Sequence, residues 1–304
     1  MAVVLITGTS TGIGMATALA FGRAGHRVAA TMRNPGKAPA LGEAAEREHL
    51  PITVFPMDVD VDASVRDGVA RIGRDLGPIG VLVNNAGIER MGSVEELPLE
   101  EFRAVMETNY FGVIRCVQAV LPAMRARRNG CIINVGSVAG HVAVAPMAAY
   151  TASKYALESL SECLAQEVRT FNIRVAIVEP GIIDTAMARS VGTQRAPSPY
   201  PQQRRVASLF ATALRTPVPP SVVADKILEI AAGATAQLRH PVGPDAAPFL
   251  GWRRSMSDEA WVELGALDDA AWYDRIEADF GMDARPVSMM PARSSNLASR
   301  IVVK

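Results

Sequence analysis

Short runs of β-branched and aliphatic residues alternate with longer amphipathic stretches through the first half of the chain, and this alternation restricts the fold more than any other feature. The order is Val3–Thr7, Thr11–Gly25, Arg27–Thr31, Lys37–His49, Ile52–Met57 and Asp62–Leu76. A strand-length run followed by a helix-length one, repeated, predicts a parallel sheet with helices on both faces. Further strand-like runs follow at Gly80–Asn84, Cys131–Val135 and Arg174–Val178, each almost continuously apolar, as expected where both sheet faces are covered. Two long helices separate them, at about Leu99 to Arg128 and Met147 to Phe171. Right-handed crossovers then give an α/β, doubly wound sheet whose ligand crevice lies at the carboxyl ends of its strands.

After Pro180 the pattern loosens. Residues 186–220 are rich in Pro, Ser, Arg and Gln around a short helical stretch, which predicts a mobile segment covering the crevice. One more helix is expected over 220–232 and one more short strand over His240–Gly243. We read residues 1–250 as one domain and 251–304 as a C-terminal extension. Trp252, Trp261 and Trp272 stand in that extension at helix-like spacing, which favours packing on the core over a partner-binding or substrate-covering role. The last dozen residues are expected to fray.

Composition removes several classes of function. Lys plus Arg equals Asp plus Glu, at 31 each, with the basic residues scattered, which argues against a nucleic-acid partner. Cys116, Cys131 and Cys163 are odd in number, sit in apolar stretches and lack metal-ligand spacing, so neither a disulfide framework nor a metal site is expected. The first strand begins at Val3, leaving no room for a leader, and a cytoplasmic location is expected. Residues Asn129 to Ser153 carry no formal charge over a length that would span a bilayer. Gly136, Gly140, His141 and Pro146 interrupt them, so a buried strand and a pocket loop are expected there instead of a membrane span.

Four motifs carry chemistry. Between the first strand and first helix stands Thr7-Gly8-Thr9-Ser10-Thr11-Gly12-Ile13-Gly14, a turn that lets backbone approach a pyrophosphate at a helix N-terminus. Asp58-Val59 ends the third strand, where the carboxylate would hold an adenine amino group. Asn84-Asn85-Ala86-Gly87 ends the fourth, with small residues to admit a ribose and asparagine side chains to lock the turn. Tyr150 and Lys154, one helical turn apart, share a helix face, and Ser137 precedes Tyr150 by thirteen residues. A lysine ammonium beside a phenol favours the phenolate and brings its pKa toward working pH, which suits Tyr150 to act as a general acid and base.

Thr-Gly-x-x-x-Gly-Ile-Gly, Asn-Asn-Ala-Gly, Ser137, Tyr-x-x-x-Lys and Pro180-Gly181, in this order, resemble the short-chain dehydrogenase/reductase family over about Val3 to Gly243. The resemblance implies a Rossmann-type fold and a catalytic tetrad in which Asn109 joins Ser137, Tyr150 and Lys154. Ser137 would hydrogen-bond the substrate oxygen and Tyr150 pass the proton. Lys154 would hold the nicotinamide ribose and lower the Tyr150 pKa, and Asn109 would anchor a water in the proton relay. Pro180, Gly181, Ile183 and Thr185 match the family segment that contacts the nicotinamide carboxamide. Gly8, Ser10, Thr11, Gly12, Ile13, Gly14, Asp58, Val59, Asn85, Ala86 and Gly87 complete the implied dinucleotide site.

NAD-selective members of such folds place an acid at the end of the second strand. Met32 and Arg33 stand there, and an arginine can grip a 2′-phosphate, so NADP(H) is favoured and NAD(H) is the alternative. Ala30–Asn34 and Arg239–Asp245 look like the hydroxysteroid and retinol dehydrogenase branch, which implies a bulky apolar alcohol or ketone as substrate. His141 reads as a loop histidine beside the pocket and not as a substrate ligand. The family resemblance also implies a homodimer or homotetramer through the two long helices, where Ala148, Ala149, Ala152, Ala156 and Ser159 would permit close contact. A dinucleotide-binding sensor that had lost catalysis is the competing class, yet Ser137, Tyr150 and Lys154 are all retained. A sugar-nucleotide epimerase or dehydratase would need a larger C-terminal domain than follows Gly181.

Overall fold

A computed structural model describes residues 2–193, 197–233 and 237–286. Seven strands form one sheet: β1 (Val3–Thr7), β2 (Arg27–Met32), β3 (Ile52–Pro56), β4 (Ile79–Asn84), β5 (Gly130–Val135), β6 (Ile173–Pro180) and β7 (Arg239–Val242). Their order is β3-β2-β1-β4-β5-β6-β7, and every pairing is parallel. The order reverses between β1 and β4, which opens a crevice at their carboxyl ends.

Strand periodicity explains the continuous apolar runs. Val3 and Leu5 of β1 join one core layer while Val4 and Ile6 join the other, and Ile177 and Val178 of β6 divide in the same way. On the first face lie α3 (Asp62–Asp75), α5 (Gly112–Arg127) and α6 (Ala148–Val168), contributing Ile72, Val120 and Leu157. On the second lie α1 (Gly12–Arg23), α2 (Ala40–Arg47) and α9 (Ser221–Ala232), contributing Phe21, Leu41 and Ile227. Each such side chain, fully buried, contributes roughly 1.5–3 kcal/mol, so both layers are needed to hold a sheet of this size.

Four regions differ from the sequence reading. The expected single helix over 99–128 is α4 (Leu99–Met106), a π-helical turn (Glu107–Phe111) and α5. Asn109 lies in that turn, bonded outward to other segments, and side chains that engage neighbours in this way commonly accompany such bulges. The expected covering segment holds two helices, α7 (Ala186–Val191) and α8 (Gln202–Ala213). The extension folds as α10 (Ala246–Arg254), α11 (Asp258–Ala266) and α12 (Asp269–Phe280), whose Phe249, Leu264, Trp272, Tyr273 and Ile276 form a further apolar cluster with Leu209 of α8. Cys163, placed in an apolar stretch by sequence, is exposed on α6. The residues expected to fray lie outside the described residues. Among the described residues no helix is long and apolar enough to cross a membrane.

Candidate active site

The glycine-rich turn is built by its neighbours as much as by its own backbone. Gly8 and Gly12 take φ of +69° and +57°, a region that glycine enters without strain. A Cβ on Gly14 would meet Gly8 O at 2.3 Å and Asn85 Nδ2 at 2.4 Å, so only glycine fits. Asn85 Nδ2 donates to Thr7 O and Gly8 O, and the amides of Asn85 and Ala86 both donate to Thr7 Oγ1 at 3.0 Å. The end of β4 is thereby clamped to the end of β1. Thr11 precedes α1 without a side-chain cap, and the first turn of the helix holds no acid, which leaves its amides and positive dipole end facing the crevice.

Asn109 ties the π-helical turn to two other segments. Its Nδ2 donates to Ile88 O and Ser153 Oγ, each at 2.9 Å, and its Oδ1 accepts from the Ile88 amide at 2.8 Å. Ser153 lies on α6 between Tyr150 and Lys154. Ser137 caps a short 3-10 turn, with Oγ accepting from the Ala139 amide at 3.1 Å. Lys154 is buried and donates to Val135 O at 2.8 Å. Its Nζ stands 5.5 Å from the Tyr150 ring centroid.

The proton-carrying groups depart from their ordinary values, chiefly because of burial. Burial pulls the Lys154 ammonium down to about 8, partly opposed by the charge of Glu158. Tyr150 keeps a face toward the cavity yet lies deep enough that burial pushes its phenol up to about 12, with Ser137 opposing and Glu89 adding to the rise. The net direction is upward, whereas the sequence reading expected the phenol to be brought down toward working pH. Loss of water around the phenol is the largest influence on it, and the Lys154 ammonium is itself engaged at Val135 O.

One cavity of about 610 Å³ contains nearly every residue singled out from the sequence. Gly8, Ser10, Thr11, Gly12, Ile13, Arg33, Asp58, Val59, Asn85, Ala86 and Gly87 line one part of it. Ser137, Tyr150 and Lys154 stand midway, and Pro180, Gly181, Ile183 and Thr185 close one side. Gly14 and Asn109 lie behind the wall, each one layer from the cavity surface. The far arm is apolar, with Leu209, Phe210, Phe249, Trp252, Trp261 and Trp272 around it. The tryptophans therefore line the cavity as well as pack among themselves and their neighbours. Solvent-facing Arg33 reaches this cavity from the end of β2, where Met32 is buried.

Sequence reasoning missed several contributors. Asp245, mostly buried, accepts from the Ile182 amide at 2.7 Å and so braces Pro180-Gly181-Ile182. Thr7 accepts two amides that shape the crevice floor. Glu89 lies buried in the wall near Tyr150. Signals existed for two of them, since Thr7 opens the glycine-rich motif and Arg239–Asp245 stood out as a run, whereas Glu89 carried none. His141, read as a bystander, is ion-paired: its Nε2 lies 2.8 Å from Glu179 and 3.5 Å from Glu158.

The model of the family described as short chain dehydrogenase matches residues 2–196. The chain belongs to that family. It is 34% identical to oxidoreductase BOA17 of Botryotinia fuckeliana over 273 residues, covering 85% of this chain and 96% of that protein. It is 40% identical over 202 residues to retinol dehydrogenase 8 of Bos taurus, covering 65% of this chain and 64% of the bovine protein. The solved structure of a short-chain dehydrogenase from Streptomyces avermitilis matches with TM-score 0.73 at 31% identity, covering 92% of this chain and 98% of that one. Actinorhodin polyketide ketoreductase, solved with NADPH, matches with TM-score 0.72 at 29% identity, covering 81% of this chain and 97% of that one. As a short-chain dehydrogenase, the protein is an NAD(P)-dependent oxidoreductase acting on CH–OH and C=O groups.

Proposed function

We propose that this short-chain dehydrogenase interconverts a ketone and a secondary alcohol on a bulky apolar substrate, with NADP(H) favoured over NAD(H). The observation that carries the reading is the continuity of the cavity, which runs from the glycine-rich turn past Ser137 and Tyr150 to a wall of Phe249, Trp252, Trp261 and Trp272. A nicotinamide dinucleotide fits the residues present. The uncapped N-terminus of α1 suits a pyrophosphate, and Asp58 and Val59 suit the adenine. Arg33 suits a 2′-phosphate, and its sequence neighbours Met32 and Asn34 are not acids, while Asp60 is the carboxylate that feels its charge. When bound, the dinucleotide supplies or accepts the hydride.

The chain's own residues handle the oxygen and its proton. Ser137 Oγ holds the substrate oxygen, and Tyr150, kept neutral by burial, donates its proton to that oxygen as the alcohol forms. Lys154 keeps its charge below pH about 8, orients the ribose and steadies the phenolate that remains. Asn109 fixes the backbone of Ile88 and the face of α6 on which Ser153 lies, and in this reading it would anchor a water joining Lys154 to solvent. The apolar arm favours ring systems over short polar substrates, because it offers area for burial and few polar partners.

The test is catalytic efficiency with NADPH and with NADH in wild type and Arg33→Ala. The reading expects NADPH to be preferred and the preference to collapse in the variant. A better efficiency with NADH, unchanged in Arg33→Ala, would remove the NADP(H) assignment. The same reading expects a homodimer or homotetramer through α5 and α6, beside which Phe111, Ala152, Tyr155 and Ser159 are exposed. A monomer by light scattering would contradict it.

A further inference from the structure

Beside Tyr150 and Lys154, two buried carboxylates converge on one nitrogen of an imidazole. Glu158 of α6 is 4% exposed and Glu179 of β6 is 2% exposed. Between them, His141 Nε2 lies 2.8 Å from Glu179 Oε1 and 3.5 Å from Glu158 Oε2. Arg239 of β7 reaches the same Glu158 oxygen with Nε at 2.9 Å and spends Nη2 on the exposed Glu162 at 2.7 Å. Counting Glu158, Glu179, Arg239 and His141, the buried group is neutral only when the imidazole is charged. Like-charged carboxylates this close otherwise repel in a medium with little water to screen them.

Each arm of this cluster ends at part of the site. His141 closes the 3-10 turn whose cap is Ser137, with its amide donating to Val138 O at 3.0 Å. Glu158 is one helical turn beyond Lys154 and acts on its charge. Glu179 immediately precedes Pro180-Gly181. A Cβ on Gly140 would meet Glu158 Cγ at 2.8 Å, so the turn sits directly on α6 and the small residue keeps it there.

We propose that His141 is a positioning residue: as an imidazolium it neutralises Glu158 and Glu179 and so fastens the Ser137 turn to α6 and to the β6 end that flanks the reacting centre. The three donor atoms lie within 4.8 Å of one another, a spacing a metal could use, but Arg239 already neutralises Glu158 and one further positive charge completes the group. The carboxylates raise the imidazole from its ordinary 6.5 to about 9, so the charge is in place at neutral pH. The other titratable groups around it are Lys154, Tyr155 and Glu162 on α6, with Tyr155 6.4 Å away ring to ring. Arg253 and Asp258 face Tyr155 from α10 and α11.

The proposal rests on the roles given above to Ser137, Tyr150 and Lys154, and its test separates the two. The imidazole signals of the chain's four histidines are followed by NMR from pH 5 to 10, with His141→Gln assigning one of them. A midpoint near 9 is expected, and a midpoint at or below 6.5 overturns the proposal. Amide exchange across Ser137–Val142 is compared at pH 7 between wild type and His141→Gln. Roughly tenfold faster exchange in the variant is expected for a released turn, and unchanged exchange overturns the proposal. Neither measurement needs turnover, so an enzyme silent toward every ketone would count against the proposed function alone. With a ketone that is turned over, His141→Gln is expected to lower kcat about tenfold through misplacement of the Ser137 turn. NADPH affinity should stay within about twofold, because His141 lies away from the dinucleotide arm. His141→Lys, a fixed cation, should recover most of kcat. Equal kcat in all three proteins overturns the positioning role.

Discussion

Tyr150 carries the proton in the proposed reaction, and its surroundings decide which form it takes. A phenol pushed up to about 12 is neutral across the working range and ready to donate. Tyr150→Phe is expected to lower kcat by on the order of 10²–10⁴, as for loss of a general acid, with NADPH binding little changed. Ketone reduction measured against pH should be level near neutrality and fall above about 8, where Lys154 loses its proton, far below the Tyr150 ionisation. An activity that persists undiminished to pH 10 would contradict the role given to Lys154. At this scale the sequence was informative about identity and uninformative about environment. Ser137, Tyr150 and Lys154 stand out by spacing, whereas the direction of the Tyr150 shift depends on burial and on Lys154 turning to Val135 O, which spacing does not encode.

Elements place these residues, and two junctions do most of it. At the first, Gly14 sits against Gly8 O and Asn85, so Gly14→Ala should open the turn and abolish dinucleotide binding in a fluorescence titration. Binding retained within about twofold would show that the turn tolerates the methyl group, against the ordinary cost of overpacking. At the second, Asn109→Ala removes bonds to Ile88 and Ser153 and leaves the Ile88 carbonyl and amide without that partner. A loss of about 1–3 kcal/mol in denaturant unfolding is expected. The strands were legible to within a residue or two because apolar runs covered on both faces have a plain signature. The π-helical turn was not, since a uniform helical period continues through Glu107–Phe111 and what marks the break is tertiary, the bonds of Asn109 to Ile88 and Ser153. The helices of the 186–220 segment were obscured by the prolines that flank them at Pro197, Pro199, Pro201, Pro217 and Pro219, although neither helix contains one.

For the whole molecule, the C-terminal extension joins the sheet's crevice to the wall of the apolar arm. Arg205 of α8, only 3% exposed at its side chain, fixes this junction: its Nε donates to Asp269 Oδ1 at 2.8 Å and its Nη2 to Leu267 O at 2.7 Å. Arg205→Ala is expected to lower stability by about 1–3 kcal/mol through loss of charged hydrogen bonds. It should also raise KM for a bulky ketone more than it lowers kcat, because the wall loosens while the proton-carrying groups stay in place. Stability should also follow His141. Its folded pKa is raised, so the stabilisation is fully present below pH 6.5 and is lost as pH rises toward about 9. Melting temperature in wild type should therefore fall between pH 6.5 and 8 more than in His141→Gln. Fold class and dinucleotide crevice could be read along the chain because strand order and turn chemistry are local. The extension's place over the pocket could not, since it depends on contacts between residues more than fifty positions apart, such as Arg205 with Asp269.

The most direct test of the central claim is NADPH oxidation, followed at the reduced-nicotinamide absorbance, with bulky ring-bearing ketones and short aliphatic ketones side by side. The account predicts turnover of the ring-bearing ketones that Tyr150→Phe abolishes, with little or none of the aliphatic ones. Equal turnover of both sets, or turnover retained in Tyr150→Phe, would contradict it.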